Sequence, residues 1–329
     1  MKNMKYFDTK NNHPVRLLAP MEGLTDPLMR KILTQIANDL GRPYDWSVSE
    51  FIRVTHHVLP EQVFYKFVPE LHNNSRTASG TPIHIQLLGS DPILMAQNAV
   101  KACQLGALAI DLNFGCPAKT VHNHRGGSVL LNDPALMQKI ISQVRKQVPS
   151  HIGVSVKIRL GYENWDNMND IHQAIADSGA NWLTIHARTK SQGYKPPAYW
   201  DKIAHFTDLP MPVIANGDIW TASDAKSCMT QAKTCHLMLG RGAVTRPDLI
   251  ACVDNPSHPF TLSWAALLPY QLAFLTDDSK NEKGLIGRYK QWLGMLTKGY
   301  NEAVQLWQHI RRLSDKESII KVLEHSQKC

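Results

Sequence analysis

The sequence predicts an α/β fold, a (β/α)8 TIM barrel followed by a small C-terminal helical bundle. Eight short apolar segments alternate with longer segments that carry helix signals. This alternation favours parallel strands, because each parallel pair needs a crossover connection, usually a helix. Polar residues also cluster at the C-terminal end of all eight segments, where such barrels bind ligands. An open doubly wound sheet is the main alternative, but no G-x-G-x-x-G motif opens the first strand–helix unit.

The predicted barrel elements follow one another in a regular order. Asp91 and Pro92 open a helix as N-cap and first-turn residue, and Gly106 closes it. The predicted strands are Val15 to Pro20, Trp46 to Phe51, Ile83 to Leu88, Ala109 to Phe114, Val154 to Leu160, Trp182 to Ala187, Pro212 to Gly217 and His236 to Arg241. The helices predicted between them include Ile93 to Leu105, Leu136 to Val148 and Thr221 to Lys233.

The chain divides into three predicted regions: a polar tail over residues 1–14, the catalytic barrel over 15–257 and a helical domain over 258–329. A chain of 329 residues suits a barrel of about 250 residues with one further module. The helical domain shows 3.6-residue periodicity and no further strand. Its predicted helices are Ser263 to Thr276, Lys283 to Tyr300, Asn301 to Leu313 and Asp315 to Ser326.

Composition limits the setting and the partners. No stretch approaches the roughly 18 apolar residues of a membrane span, and the lysine-bearing start lacks an apolar signal core. The six cysteines show no C-x-x-C pair and no zinc-ligand spacing. We therefore expect a cytoplasmic protein with reduced thiols and no metal, and nothing in the sequence calls for a partner chain beyond a monomer.

The charge balance favours a polyanionic partner such as nucleic acid, although solubility alone would also explain it. Lys and Arg number 36 against 28 acidic residues, a net charge of +8. Residues 283–312 hold six Lys/Arg and a single acid, Glu302, interleaved with Tyr300 and Trp307. Basic groups mixed with aromatics suit an RNA surface, and a solvated helical face is the plain alternative.

A thiol stands at the end of the fourth predicted strand. The strand stops at Asn113, and Gly115 and Pro117 force a tight turn with Cys116 at its apex. This position is well placed to meet a ligand, although a buried packing cysteine is a common alternative.

Other strand ends carry polar groups that suit a cofactor. The turns after strands seven and eight, Asn216-Gly217-Asp218 and Gly240-Arg241, suit a phosphate, although glycines also end strands for steric reasons. Gln86 suits a heterocycle edge, and His186 is either a donor to the same ring or a buried core histidine. Lys157 would form a Schiff base or neutralise a reduced cofactor ring. His122 and His124 lack companion ligands and are interpreted as non-metal residues.

Several motifs in order resemble the tRNA-dihydrouridine synthases, from about residue 15 to the last helix. These motifs are Ala19 to Gly23, Gln86 to Gly89, Asp111 to Pro117, Val156 to Gly161, His186 to Thr189, Ala215 to Asp218 and Gly240 to Ala243. Further segments resemble the subfamily that modifies position 16 of tRNA: Glu50 to Arg53, Arg188 to Tyr194, Arg288 to Leu293 and Gln308 to Arg311.

The resemblance implies an FMN oxidoreductase that uses NADPH to reduce uridine to dihydrouridine in tRNA. It implies that Cys116 is the catalytic residue, as proton donor to C5 opposite a hydride delivered to C6. By carry-over, the FMN-binding residues are Pro20, Met21, Glu22, Gln86, Lys157, His186, Asn216, Gly217, Asp218, Gly240 and Arg241. The implied tRNA-binding residues are Arg53, Asn113, Tyr194, Arg288, Lys290 and Arg311.

Two other functions stay open at this point. One is a flavin barrel that reduces a free small molecule, which leaves the basic C-terminal helices unexplained. The other is a flavin-free, phosphate-binding aldolase in which Lys157 forms a Schiff base.

Overall fold

The computed structural model describes residues 7, 13–118, 126–254, 260–279 and 281–326. Its strands are β1 (Arg16–Leu18), β2 (Trp46–Val48), β3 (Ile52–Arg53), β4 (Ile83–Leu88), β5 (Ala109–Phe114), β6 (Gly153–Arg159), β7 (Trp182–His186), β8 (Val213–Asn216) and β9 (His236–Leu239). All pairings among them are parallel, and β1 joins both β2 and β9. Because β2 and β3 both pair with β4 and together take the place of one strand, the sheet closes into an eight-stranded barrel. The predicted TIM barrel is confirmed.

The second predicted strand is interrupted, and this is the main departure from the expected strand pattern. β2 ends at Val48, and β3 resumes pairing only against Leu87 and Leu88 near the end of β4. At the break, the Ser49 hydroxyl accepts a hydrogen bond from the backbone N–H of Gln86 at 3.1 Å, in place of a strand carbonyl. The interruption leaves Phe51 on the wall of the cavity at the barrel mouth.

The helices of the barrel agree with their predicted capping signals. Asp91 accepts hydrogen bonds from the backbone N–H groups of Ile93 and Leu94, each at 2.8 Å. Asp26 caps the first helix in the same way, through the N–H of Met29. The barrel helices are α1 (Pro27–Asp39), α2 (Glu61–Phe67), α3 (Pro92–Gln104), α4 (Pro134–Gln147), α5 (Met168–Ala176), α6 (Trp200–Ile203), α7 (Ala222–Ala232), α8 (Arg241–Thr245) and α9 (Leu249–Cys252), with short 3-10 turns at Pro69–Asn73, Gly127–Asn132 and Ala204–Phe206.

The barrel interior changes from apolar to polar along its axis. At the N-terminal end, the Trp46 ring stacks on His84 with ring centroids 4.9 Å apart, and Trp182 lies edge-on to Trp46 at 5.7 Å. Farther up, the buried side chains are polar, with Gln86, Asp111 and Ser155 in contact. This packing closes the bottom of the barrel and leaves its polar side chains facing the C-terminal mouth.

Four helices follow the barrel: α10 (Trp264–Leu275), α11 (Glu282–Leu296), α12 (Asn301–Ile310) and α13 (Lys316–His325). The apolar face of α11, which includes Tyr289 and Trp292, is buried, in agreement with the 3.6-residue periodicity of the sequence. The Trp292 indole donates to the carbonyl of Val244 in α8 at 3.2 Å, which joins the helical region to the barrel. The domain boundary predicted at 257/258 lies outside the described residues and stays a prediction, as does most of the 1–14 tail. Within the described ranges, no helix is long and apolar enough to cross a membrane.

Candidate active site

A cavity of about 400 Å³ opens at the C-terminal ends of the barrel strands. Its walls include Cys116 and all eleven residues predicted to bind the cofactor. These eleven are Pro20, Met21, Glu22, Gln86, Lys157, His186, Asn216, Gly217, Asp218, Gly240 and Arg241. Residues that are far apart in the sequence therefore meet in one cavity of a size typical of small-molecule sites.

The cysteine-bearing turn is fixed from two sides. The side-chain oxygen of Asn113 accepts hydrogen bonds from the backbone N–H groups of Gly115 and Cys116, each at 2.9 Å. The Arg159 guanidinium donates to the carbonyl of Gly115 at 2.8 Å and also to the carbonyls of Thr189 and Gly193. The turn is therefore held rigidly against β6 and the loop after β7.

The Cys116 thiol sits in a partly apolar niche that keeps its proton on. The residue is 8% exposed and lies with Phe51 and Leu88 in a small cluster. Burial raises the pKa of the Cys116 thiol, and the Glu22 carboxylate adds to this, while Arg159 and Arg53 oppose it. Cys116 is therefore a thiol rather than a thiolate at neutral pH, which suits a proton donor.

Lys157 places an ammonium group on the cavity wall. It makes no hydrogen bond with any residue that the structure describes. Burial, helped by the neighbouring Arg159, lowers the pKa of Lys157 to about 8, and the Asp111 carboxyl opposes this. Burial, together with the positive charges of Arg159 and Lys157, holds the pKa of His186 well below its usual value, so its imidazole is neutral. The Lys157 ammonium therefore shares the cavity wall with a neutral imidazole.

The turns after β8 and β9 form the opposite wall. Gly217 has a φ of +122°, and a Cβ atom there would lie 2.9 Å from the His186 ring, so both conformation and space require glycine. The Asp218 carboxylate accepts hydrogen bonds from Arg241 at 2.7 Å and from Arg188. The Arg241 guanidinium lies 4.8 Å from the Tyr194 ring centroid, at the cavity edge. These contacts hold the Arg241 guanidinium at the turns that the sequence predicted to bind a phosphate.

The residues predicted to bind tRNA separate into two groups. Asn113 and Tyr194 line the cavity, and Tyr194 is 54% exposed. The other four, Arg53, Arg288, Lys290 and Arg311, lie outside the cavity lining.

Arg288 and Lys290 make hydrogen bonds within the protein. Arg288 donates to the Asp26 carboxylate at 3.0 Å and to the Leu24 carbonyl at 2.7 Å. Lys290 donates to the carbonyls of Arg311 and Leu313 after α12. Both side chains hold protein elements together in this structure, whereas the Arg311 side chain is exposed.

The structure adds residues to the site that the sequence did not single out as binding residues. Arg159 follows Lys157 by two positions, so strand alternation would have placed it on the same face. Gln291, on α11, and Trp220 also line the cavity, and no sequence signal marks them. His122 and His124 lie outside the described residues. Among the described residues, no group of three or more His, Cys, Asp or Glu could hold a metal.

A closed parallel barrel with its cavity at the strand ends defines a TIM-barrel enzyme. Comparison with known families makes this assignment specific: the dihydrouridine synthase family model matches residues 17–328. The chain belongs to the dihydrouridine synthase family, and the resemblance inferred from its motifs is confirmed.

Relatives at high identity carry one name. The tRNA-dihydrouridine(16) synthase of Pseudomonas syringae pv. tomato is 46% identical over 318 residues, 94% of this chain and 98% of that protein. The protein of the same name from Neisseria meningitidis serogroup B is 42% identical over 329 residues, 96% of this chain and 97% of that one.

Solved structures show the same fold at low sequence identity. A variant of NCR from Zymomonas mobilis matches with a TM-score of 0.51 and 14% identity, over 76% of this chain and 88% of that one. A 2-naphthoyl-CoA reductase complex matches with a TM-score of 0.55 and 12% identity, over 74% of this chain and 50% of that one.

Proposed function

We propose that this protein is an FMN-dependent synthase that reduces uridine 16 in the D-loop of tRNA to 5,6-dihydrouridine, with NADPH as reductant. The observation that carries the proposal is a protonated thiol, Cys116, held by a rigid turn in the same cavity as the Lys157 ammonium and the Arg241 guanidinium. The names of the relatives support tRNA as the substrate and position 16 as the target.

The cavity fits a flavin mononucleotide. The Lys157 ammonium has no hydrogen-bond partner among the described residues and would face the negative edge of a reduced ring. The turn at Gly217 and Asp218, both with positive φ, and the Arg241 side chain would hold ribityl and phosphate oxygens. Pro20, Met21 and the other predicted lining residues would enclose the ring. When bound, the reduced flavin supplies the hydride that is added to C6 of uracil.

Cys116 supplies the other half of the reduction. Saturation of the C5–C6 bond needs one hydride and one proton, and the Cys116 thiol gives its proton to C5. The resulting thiolate takes up a proton from water before the next turnover. Asn113 and Arg159 fix the turn, so that the thiol is oriented before the base arrives.

The mouth of the barrel suits a nucleotide that has been turned out of folded tRNA. The exposed Tyr194 ring lies between the guanidinium groups of Arg159 and Arg241, at 5.2 and 4.8 Å from their central carbons. We propose that Tyr194 and Asn113 contact the bound RNA directly and that Arg53 and Arg311 contact its backbone. Arg288 and Lys290 would support docking through the elements they hold.

The test compares Cys116→Ala with Cys103→Ala, a half-buried cysteine on α3 that is outside the cavity. We expect Cys116→Ala to retain FMN and tRNA binding and to lose dihydrouridine formation by about 100-fold or more, the usual effect of losing a general acid. Cys103→Ala should keep the wild-type rate. Full turnover by Cys116→Ala would overturn the acid assignment.

One observation favours a second function. A lysine with a pKa near 8 is a suitable Schiff-base nucleophile, as in the flavin-free aldolase alternative. The visible spectrum of the purified protein separates the two, because bound FMN is yellow. The salt dependence of tRNA binding distinguishes a tRNA substrate from a free small-molecule substrate. If tRNA is the partner, its affinity should fall steeply as the salt concentration rises.

A further inference from the structure

A chain of hydrogen bonds runs through the barrel interior from β6 to the cysteine turn. It starts at the Ser155 hydroxyl, which donates to one oxygen of the Asp111 carboxyl at 2.5 Å. The Gln86 amide donates to the other carboxyl oxygen at 2.6 Å. The Asn113 amide then donates to the Gln86 carbonyl oxygen at 2.8 Å. Asn113 in turn accepts from the N–H groups of Gly115 and Cys116.

The direction of this chain is fixed at both ends. Backbone N–H groups can only donate, so Asn113 must present its oxygen to the turn and its NH₂ group to Gln86. Gln86 must then present its oxygen to Asn113 and its NH₂ group to Asp111. The Asp111 carboxyl oxygen that faces Gln86 accepts from this NH₂ group, which completes the direction without conflict. Asp111 is 1% exposed, so water is not available as a substitute partner.

We propose that Asp111 is a positioning residue that fixes the amide orientations of Gln86 and Asn113 and thereby the turn that carries Cys116. Asp111 does not line the cavity, and it reaches the cysteine turn through these two side chains. The hydrogen-bond chain is independent of the function proposed above. Only the catalytic value of the fixed turn rests on that function.

The proposal predicts the effect of reversing the chain. In Asn113→Asp, two carboxylates face the single amide of Gln86, which can donate to only one of them. Asp111→Asn alone keeps the original direction, because its side-chain oxygen still accepts from Gln86. In the double variant Asp111→Asn/Asn113→Asp, every bond is satisfied in reverse, with position 111 donating to Gln86 and Gln86 donating to position 113.

The measurement is amide hydrogen exchange at Gly115 and Cys116 in the purified full-length protein at pH 8, followed by mass spectrometry of the peptide that contains them. We expect exchange to rise about tenfold or more in Asn113→Asp and to stay within about twofold of wild type in Asp111→Asn. The double variant should recover most of the protection. Ser155→Ala serves as a control, because it removes a donor to Asp111 and leaves the bonds that join Asp111, Gln86 and Asn113, so the Gly115 and Cys116 amides should stay protected.

Two outcomes would overturn the proposal: wild-type protection in Asn113→Asp, or a double variant that exchanges as fast as that single variant. Exchange in the rest of the barrel reports whether each variant is folded. Because exchange requires neither tRNA nor turnover, it separates this proposal from the proposed function. With tRNA as substrate, Asp111→Ala should lower kcat, because the turn that carries Cys116 is no longer held in one orientation.

Discussion

At the residue scale, burial sets the protonation of the two groups on which the proposed chemistry depends. It raises the pKa of the Cys116 thiol and lowers the pKa of the Lys157 ammonium to about 8. The sequence could predict both residues, because a lysine in an apolar strand and a cysteine between glycine and proline stand out locally. It could not predict how the Asn113 amide is oriented when it accepts hydrogen bonds from the backbone N–H groups of the turn. That orientation depends on Gln86 and Asp111, which meet Asn113 only inside the closed barrel.

These pKa directions predict a pH dependence of kcat/KM on tRNA. Both groups act in their protonated forms, so the rate is lost as pH rises, first through the pKa of Lys157 and then through that of Cys116. We expect the descending limb at about pH 8 or above, since a bound anion holds the proton on the ammonium. Lys157→Arg keeps the charge and should move this limb to higher pH. A limb that stays in place in Lys157→Arg would contradict the role of Lys157.

Among the helices and strands, sequence patterns predicted correctly the elements that depend on neighbouring residues alone. The strand segments, the helix capped by Asp91 and the helical periodicity of α11 were all predicted from the sequence. The break between β2 and β3 was not, because it depends on the Ser49 hydroxyl meeting the backbone of β4. The role of Arg288 was also hidden, since its partner Asp26 lies 262 positions away in the sequence.

Arg288 is expected to join α11 to the barrel energetically as well as geometrically. Arg288→Ala leaves the largely buried Asp26 carboxylate without its ion pair, which should cost about 3 kcal/mol in the free energy of unfolding. Arg312→Ala removes an exposed arginine two residues beyond α12 and should change stability by about 0.5 kcal/mol or less. Urea unfolding followed by circular dichroism measures both. Equal midpoints for the two variants would show that the Arg288 contacts do not stabilise the interface.

For the whole molecule, the barrel fold and the cavity at the strand ends could largely be predicted from the sequence. Strand and helix alternate with enough regularity to indicate a barrel, and a barrel brings the ends of all its strands together. The eleven predicted cofactor residues therefore meet in one cavity. The position of the helical region relative to the barrel could not be predicted from the sequence. It depends on the packing of α11 on α8, which brings Gln291 to the cavity.

We propose that a uridine at position 16 of tRNA is reduced in this cavity. The most direct measurement is a single-turnover reaction of the protein, loaded with reduced FMN, with unmodified tRNA that carries either uridine or cytidine at position 16. Reoxidation of the flavin is followed by its visible absorbance, and dihydrouridine is mapped in the product. We expect fast reoxidation and dihydrouridine at position 16 with the uridine tRNA, and neither with the cytidine tRNA. Equal reoxidation by both tRNAs, or dihydrouridine at another position, would contradict the claim.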